Sequence, residues 1–465
     1  MISREEAERI HGASLSLLED PGVKIEHDAI GGMLRKAGAS DGPDAQVLRF
    51  PRKMVNEYLA LAPKAVRFAD RSGAVRELKA GDPSRFWTGA ALNYLDLEGG
   101  LREITSRDLA DFARLIDALD GVDALVGTAM SDVPPTARDF VGLRVMAENT
   151  RKHLRALSFT PTGSEAMREM ARVLAGGELA ERPVLSMGFT AHGPLRWTNL
   201  ALDIYLRSAG DKIPVTVNGE PAAGVSGPVT LAGALAVGNA EVLAGIVLNQ
   251  VIEPGRPCIH NLGFSHILDM KTAVAVTGGP EVCLLAAAGA ELARLYGLPS
   301  CSWMCTEAML PDEQAALETL FGALTHAAAR VNVVWGVGSL ESEKTLSPAK
   351  AVMDNELIGM VRRFERGIEV SDEALATDVT RQAGIAGSFL GTDHTFDHFR
   401  TELHEPRLLC RLTRESWEAA GGKRLSEVAA DTARDILSAE REPLLDEAVA
   451  AELRKIEEHY LAQVG

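Results

Sequence analysis

From about residue 105 onward, short apolar runs rich in β-branched residues alternate with stretches of helical periodicity, as in a parallel sheet built from βα units. Eight runs follow this pattern: ALVGTAM (124–130), LRALSFT (154–160), PVLSMGFT (183–190), PVTVNGE (214–220), PCIHNLG (257–263), PSCSWMCTE (299–307), NVVWGVG (332–338) and SFLGTDHT (388–395). Eight strands with helices between them predict an α/β fold closed into a (β/α)8 TIM barrel, with an open doubly wound sheet as the alternative. Ahead of them, apolar residues at three-to-four spacing predict helices over 4–18, 28–37 and 51–61, then two extended runs, VRFADR and FWTGAALNYLDL. Helical periodicity returns over 414–420, 425–439 and 444–464. The pattern divides the chain into an N-terminal helical cap and small sheet (1–104), the barrel (105–403) and a C-terminal helical extension packed on it (404–465).

The most apolar stretch, 227–255, approaches membrane-spanning length but is interrupted by Asn239, Glu241 and Asn249, and reads as a buried barrel helix rather than a membrane span. A net charge of -17 with no basic run disfavours nucleic acid and anionic membrane surfaces as partners. The first twenty residues lack the apolar core of a secretory signal, which predicts a cytoplasmic protein. The five cysteines, Cys258, Cys283, Cys301, Cys305 and Cys410, are odd in number and scattered, as expected of reduced thiols. No run is followed by GxGxxG or GxxxxGK[ST], which weakens dehydrogenase and nucleotide-hydrolase readings.

Barrel enzymes place their chemistry at the C-terminal strand ends. There the chain carries Thr160, His192, Asn218, Glu220, His260, Asn261, Trp303, Glu307, Trp335, Glu341, Asp393 and His394, with Phe189, Phe264 and Phe389 nearby. Aromatic and acidic residues dominate, a composition suited to a cationic ligand, because ring faces attract quaternary ammonium groups; the rings equally suit core packing. Glu220 and Glu307 follow apolar runs, where desolvation raises a carboxyl pKa toward general-acid use, and a structural ion pair is the competing role. His394, His398 and Glu402 share a helical spacing that suits a metal, although no CxxC or HExxH pattern accompanies them.

GPVTLAGALAVGNAEVLAGIVLNQ, PGRPC, DMKTAVAVTGGPE, LARLYGLP, DEQAALE, SPAKAVMDNELIGMVRR, FLGTDHTFDHFRTELHEPRL and EAAGGKRL, in this order, resemble the trimethylamine methyltransferase family, and the likeness runs along nearly the whole chain. The resemblance implies a barrel that moves a methyl group from a methylated amine to the cob(I)alamin of a separate corrinoid protein, with no cofactor tightly bound and no metal, in a homo-oligomer. Founding members use a pyrrolysine; this chain consists of standard residues, which implies the pyrrolysine-lacking branch and a betaine-like quaternary amine. An aromatic cage drawn from Phe189, Phe264, Trp303, Trp335 and Phe389 would hold the cation, His260 or Asn261 a substrate carboxylate, while Asp393, His394, Glu220 and Glu307 are the candidate catalytic residues. Two departures from the family pattern, Thr306-Glu307-Ala308-Met309 and His260-Asn261, lie at the expected mouth. Two other readings stand beside this one: a barrel that binds methylated amines without transferring the methyl, and a metal-dependent hydrolase using His394, His398 and Glu402.

Overall fold

The computed structural model describes residues 2–464. Eight parallel strands close into a barrel: β1 (Arg85–Thr88), β2 (Ala124–Val126), β3 (His153–Arg155), β4 (Leu185–Thr190), β5 (Val215–Asn218), β6 (Cys258–Gly263), β7 (Ser300–Trp303) and β8 (Val333–Val337). The order is sequential, and β8 pairs with β1 to complete the ring. Helices follow the strands and bury their apolar stripes against the outer face of the sheet, so each strand has a packed outer side and an axial inner side.

Six of these strands fall within the runs read from the sequence, β3 begins one residue ahead of its run, and β1 lies in none of them. The barrel opens at Arg85–Thr88, at the head of the extended run FWTGAALNYLDL that the sequence places in the small sheet of the cap; pairing with β8 and β2 makes it a barrel strand. SFLGTDHT is not a strand: the hydroxyl of Thr392 accepts from the Thr395 amide at 3.2 Å and caps an exposed helix, Asp393–Glu402.

The N-terminal end is closed by a hairpin, Ala65–Ala69 with Val75–Lys79, whose Phe68 meets Trp87 edge-on at 5.3 Å. Helix Arg4–Glu19 packs on the apolar helix Leu231–Ile252, where the Ser14 hydroxyl donates to the Ala236 carbonyl and accepts from the Asn239 amide. Leu231–Ile252 is long and apolar enough to cross a membrane, yet most of it is buried inside the fold. At the other end of the chain, Leu425–Ser438 packs on Pro348–Arg366 and Glu447–Val464 on Pro161–Ala175.

Between these bodies, residues 368–401 form an arm. Arg363 ties its two ends together, donating to the carbonyls of Gly367 and Glu402, and Arg366 also donates to Glu402. That anchor lies at the N-terminal end of the barrel, where Glu365 accepts from the Ser84 amide just ahead of β1.

Candidate active site

Side-chain alternation along the strands sorts the candidates before any chemistry is considered. On β6 His260 turns outward and Asn261 inward: His260 Nε2 bonds Asn239 Oδ1 at 2.9 Å in Leu231–Ile252, and burial pushes its pKa down to about 3. His260 is therefore a neutral structural residue outside the cleft, a correction to its substrate-binding role. Asn261 starts a polar ladder on the inner wall, donating to Asn218 Oδ1 at 2.9 Å, while Asn218 donates to Thr190 Oγ1 at 3.0 Å. Phe189 likewise faces outward on β4, stacked on Tyr205 at 3.9 Å, and is a wall rather than a cage residue.

Trp303 and Trp335 are register partners on β7 and β8, both turned inward. Phe264 meets Trp303 edge-on at 4.5 Å and Trp335 at 4.9 Å, and Trp87 lies beneath Trp335 at 6.1 Å. Three of the five expected cage residues thus converge. Phe389 does not: it is 44% exposed on the arm.

Two carboxyls are buried in the loops at the same end of the barrel. Glu220, just beyond β5, is pushed up to about 7 by burial, with Glu241 adding like charge. Glu343, beyond β8, is pushed up to about 8 by burial and by Glu220. A side chain on Gly89, just past β1, would come within 1.8 Å of Ser339 Oγ and 3.3 Å of Glu343 Oε1, so a glycine keeps that space open. Glu341, Ser342 and Glu343 all hold a left-handed backbone (φ 55°, 54° and 68°), a costly conformation for non-glycine residues that turns the loop back into the mouth. The sequence reading stopped at Glu341 and missed Glu343; the signal was a further acid two residues along the loop after β8.

Glu307 is spent on structure. It accepts from the backbone amides of Thr277 and Gly278 and from the Thr277 hydroxyl, fixing two loops together. Glu241, pushed up to about 7 by burial, accepts from the Leu195 amide and braces the loop after β4. A cavity of about 670 Å3 opens between the ends of β3–β5 and the helix Asn199–Arg207, bordered by Ser158, Gly188, Thr190, His192 and Glu220. A second cavity, about 300 Å3 beside Phe68, Trp87 and Lys152, lies at the opposite end of the barrel.

Asp393 and His394 are not at this mouth. They begin the exposed helix whose last residue, Glu402, is held by Arg363 and Arg366 at the far end of the barrel. The metal reading loses its geometry as well, since His398 pairs with Glu373 at 3.5 Å and Glu402 with Arg363 at 3.5 Å. Among the described residues no group of three or more His, Cys, Asp or Glu is placed to hold a metal ion. Cys301 and Cys305 are buried, and burial raises both thiols.

Several buried polar atoms on the inner wall lack partners: Ser158 Oγ, Arg155 Nε, Thr216 Oγ1, Trp303 Nε1, Trp335 Nε1 and Ser339 Oγ. Buried orphans are rare in folded proteins and mark places where a ligand or ordered water belongs. Arg155 was not among the sequence candidates; its signal was an arginine within the otherwise apolar start of the run LRALSFT, where it ends a fully buried strand.

The sequence matches the trimethylamine methyltransferase (MTTB) family over residues 1–463. It is 34% identical over 473 residues to trimethylamine methyltransferase MttB of Desulfitobacterium hafniense, covering 100% of this chain and 94% of that one. A glycine betaine methyltransferase of Desulfitobacterium hafniense is 28% identical over 424 residues, covering 90% of this chain and 88% of the relative. In three dimensions the chain resembles the monomethylamine methyltransferase MtmB of Methanosarcina barkeri, with a TM-score of 0.51 at 14% identity over 93% of this chain and 86% of that one; this likeness speaks to the fold.

Proposed function

Because the chain belongs to the trimethylamine methyltransferase family, we propose that it takes a methyl group from a methylated amine, quaternary and betaine-like in preference to tertiary, and passes it to a corrinoid carried on a separate protein. The observation that carries this reading is the convergence of Phe264, Trp303 and Trp335 at the C-terminal mouth, with Glu220 and Glu343 buried in the loops beyond β5 and β8 at the same end. Aromatic faces attract an ammonium ion without hydrogen bonds, each by about 0.5–2 kcal/mol, which suits a nitrogen that has no N–H to donate. The two carboxyls supply counter-charge where water is largely excluded.

The corrinoid's Co(I) supplies the nucleophile for the methyl carbon. The chain's own residues fix the ammonium so that one methyl points out of the mouth, and they strip water from the cation. When the C–N bond breaks, its electron pair stays on nitrogen and cancels the positive charge, so no proton donor is needed. The mouth opens at the strand ends, the side from which a second protein can approach. The acid-base roles considered for Asp393, His394 and Glu307 have no place in this scheme, and Glu220 acts through its charge.

We place the enzyme in the cytoplasm and expect copies to associate, a reading supported by Ile368, Val370, Ile385, Leu390 and Phe396, all exposed on the arm. The test is demethylation with cob(I)alamin, alone and on a corrinoid protein, following loss of the Co(I) absorbance with trimethylamine, glycine betaine, proline betaine, carnitine and choline. Turnover with a quaternary amine is the expected result. No turnover with any of the five overturns the reading.

A further inference from the structure

Arg155 ends β3 and points into the barrel. It is 5% exposed, its Nη1 donates to the neighbouring Ala156 carbonyl at 2.5 Å, and its Nε has no partner. Burial lowers its pKa only to about 10, so it is a cation at neutral pH. The ionisable neighbour it senses is the Cys301 thiol, which burial raises well above its usual value and so keeps neutral. A buried guanidinium without a carboxylate is costly and is retained where a counter-charge arrives from outside.

The surroundings are built around it. A side chain on Gly188 would come within 2.1 Å of Arg155 Nη2 and 2.4 Å of Thr216 Oγ1, so β4 carries a glycine where the guanidinium needs the room. Gly188 and Ser158 both border the 670 Å3 cavity, and the Ser158 and Thr216 hydroxyls, like Arg155 Nε, are buried without partners. The guanidinium carbon stands 5.4 Å from the centre of the Trp335 ring, and Phe264 meets the same ring at 4.9 Å. One indole therefore separates a fixed positive group from Phe264 at the aromatic end of the site.

Resting on the amine reading above, we propose that Arg155 is the specificity-determining residue of the mouth: it holds the carboxylate of a zwitterionic substrate whose methylated ammonium lies toward Phe264 and Trp303. The substrate class is then N-methylated amino acids with few bonds between the two charges. Ser158 and Thr216 supply hydroxyl donors to the same carboxylate. The roles expected of His260 and Asn261 pass to this group, since His260 faces outward and Asn261 is bonded to Asn218 and the Gly263 amide.

The test is calorimetric binding of glycine betaine and choline, which share a trimethylammonium group and differ in the carboxylate, to the intact protein and to its Arg155→Gln and Arg155→Lys variants. The wild type should bind glycine betaine at least about 10-fold more tightly than choline, as a charge-assisted hydrogen bond allows. Arg155→Gln should weaken glycine betaine about 100-fold and choline less than about threefold, with Arg155→Lys in between. A wild type that favours choline, or an Arg155→Gln protein that loses both ligands alike or neither, overturns the proposal. Circular dichroism of the two variants tells a lost site from a lost fold, and Arg155→Lys carries the comparison if Arg155→Gln fails to fold. Acetate gives a readout independent of amine binding: it should change Trp335 emission in the wild type and leave Arg155→Gln unmoved. Should neither amine bind the wild type, the amine reading falls, and a silent acetate titration then removes the anion site as well.

Discussion

His260 and Asn261 are adjacent in sequence and do opposite work, because successive strand residues face opposite sides of the sheet. His260→Ala removes a buried hydrogen bond and leaves a cavity against Asn239, and we expect it to cost about 2–4 kcal/mol in urea unfolding while ligand affinity stays within about twofold. Trp303→Ala should do the reverse. Its ring is half-buried at the mouth, so tetramethylammonium affinity should fall roughly 10-fold by titration, with a smaller change in stability. If His260→Ala abolished binding and Trp303→Ala did not, the inward and outward assignment of β6 and β7 would be wrong.

At the scale of elements, the loops beyond β5 and β8 carry Glu220 and Glu343 into one space, and the protein's pH response follows from that. The folded state raises these carboxyls, with Glu241, from the usual 4.5 to about 7, 8 and 7, so folding takes up protons. Their contribution to stability is complete below about pH 4.5 and is lost as pH rises through 7 to 8. His153, His260 and His326 work in the other direction: held down to about 4, 3 and 4 by burial, they contribute stability above pH 6.5 that is lost as pH falls through about 4. The ligand-free melting temperature should therefore decline from pH 6.5 to 8.5, and Glu343→Gln should flatten that decline by a few degrees. Quaternary-ammonium affinity should climb over the same interval as the carboxyls ionise; an affinity indifferent to pH between 6 and 8.5 would remove them from the site.

At the scale of the whole molecule, the barrel and its helices share one core while the arm stands apart. No residue of the arm's helices is buried, and Arg363 already bridges its two ends. Replacing 369–400 with a short Gly-Ser linker should leave the barrel's melting temperature within a few degrees of wild type. The same deletion should reduce the sedimenting species to a smaller one if the exposed apolar side chains join copies, and an unchanged sedimentation coefficient would put the association elsewhere.

The sequence by itself determined the architecture and most of its parts, because alternation of apolar runs with helical periodicity is a local property that survives into the fold. The runs at 124–130, 257–263 and 332–338 contain barrel strands, and the helices expected over 4–18 and 425–439 formed within a residue or two. The family resemblance pointed to the same barrel, and the strand-end rule had already singled out the aromatic pair Trp303 and Trp335. What tertiary structure decided was direction and assembly. A strand as short as Arg85–Thr88 gains its identity from pairing with β8, and SFLGTDHT lost its expected strand to a helix cap. Residues far apart in sequence, Arg155 beside Trp335 and Glu220 near Glu343, meet only because a closed barrel turns alternate side chains toward one axis. The same closure carried His260 to the outer face, and the anchoring of the arm at the N-terminal end kept Asp393 and His394 from the mouth of their own chain.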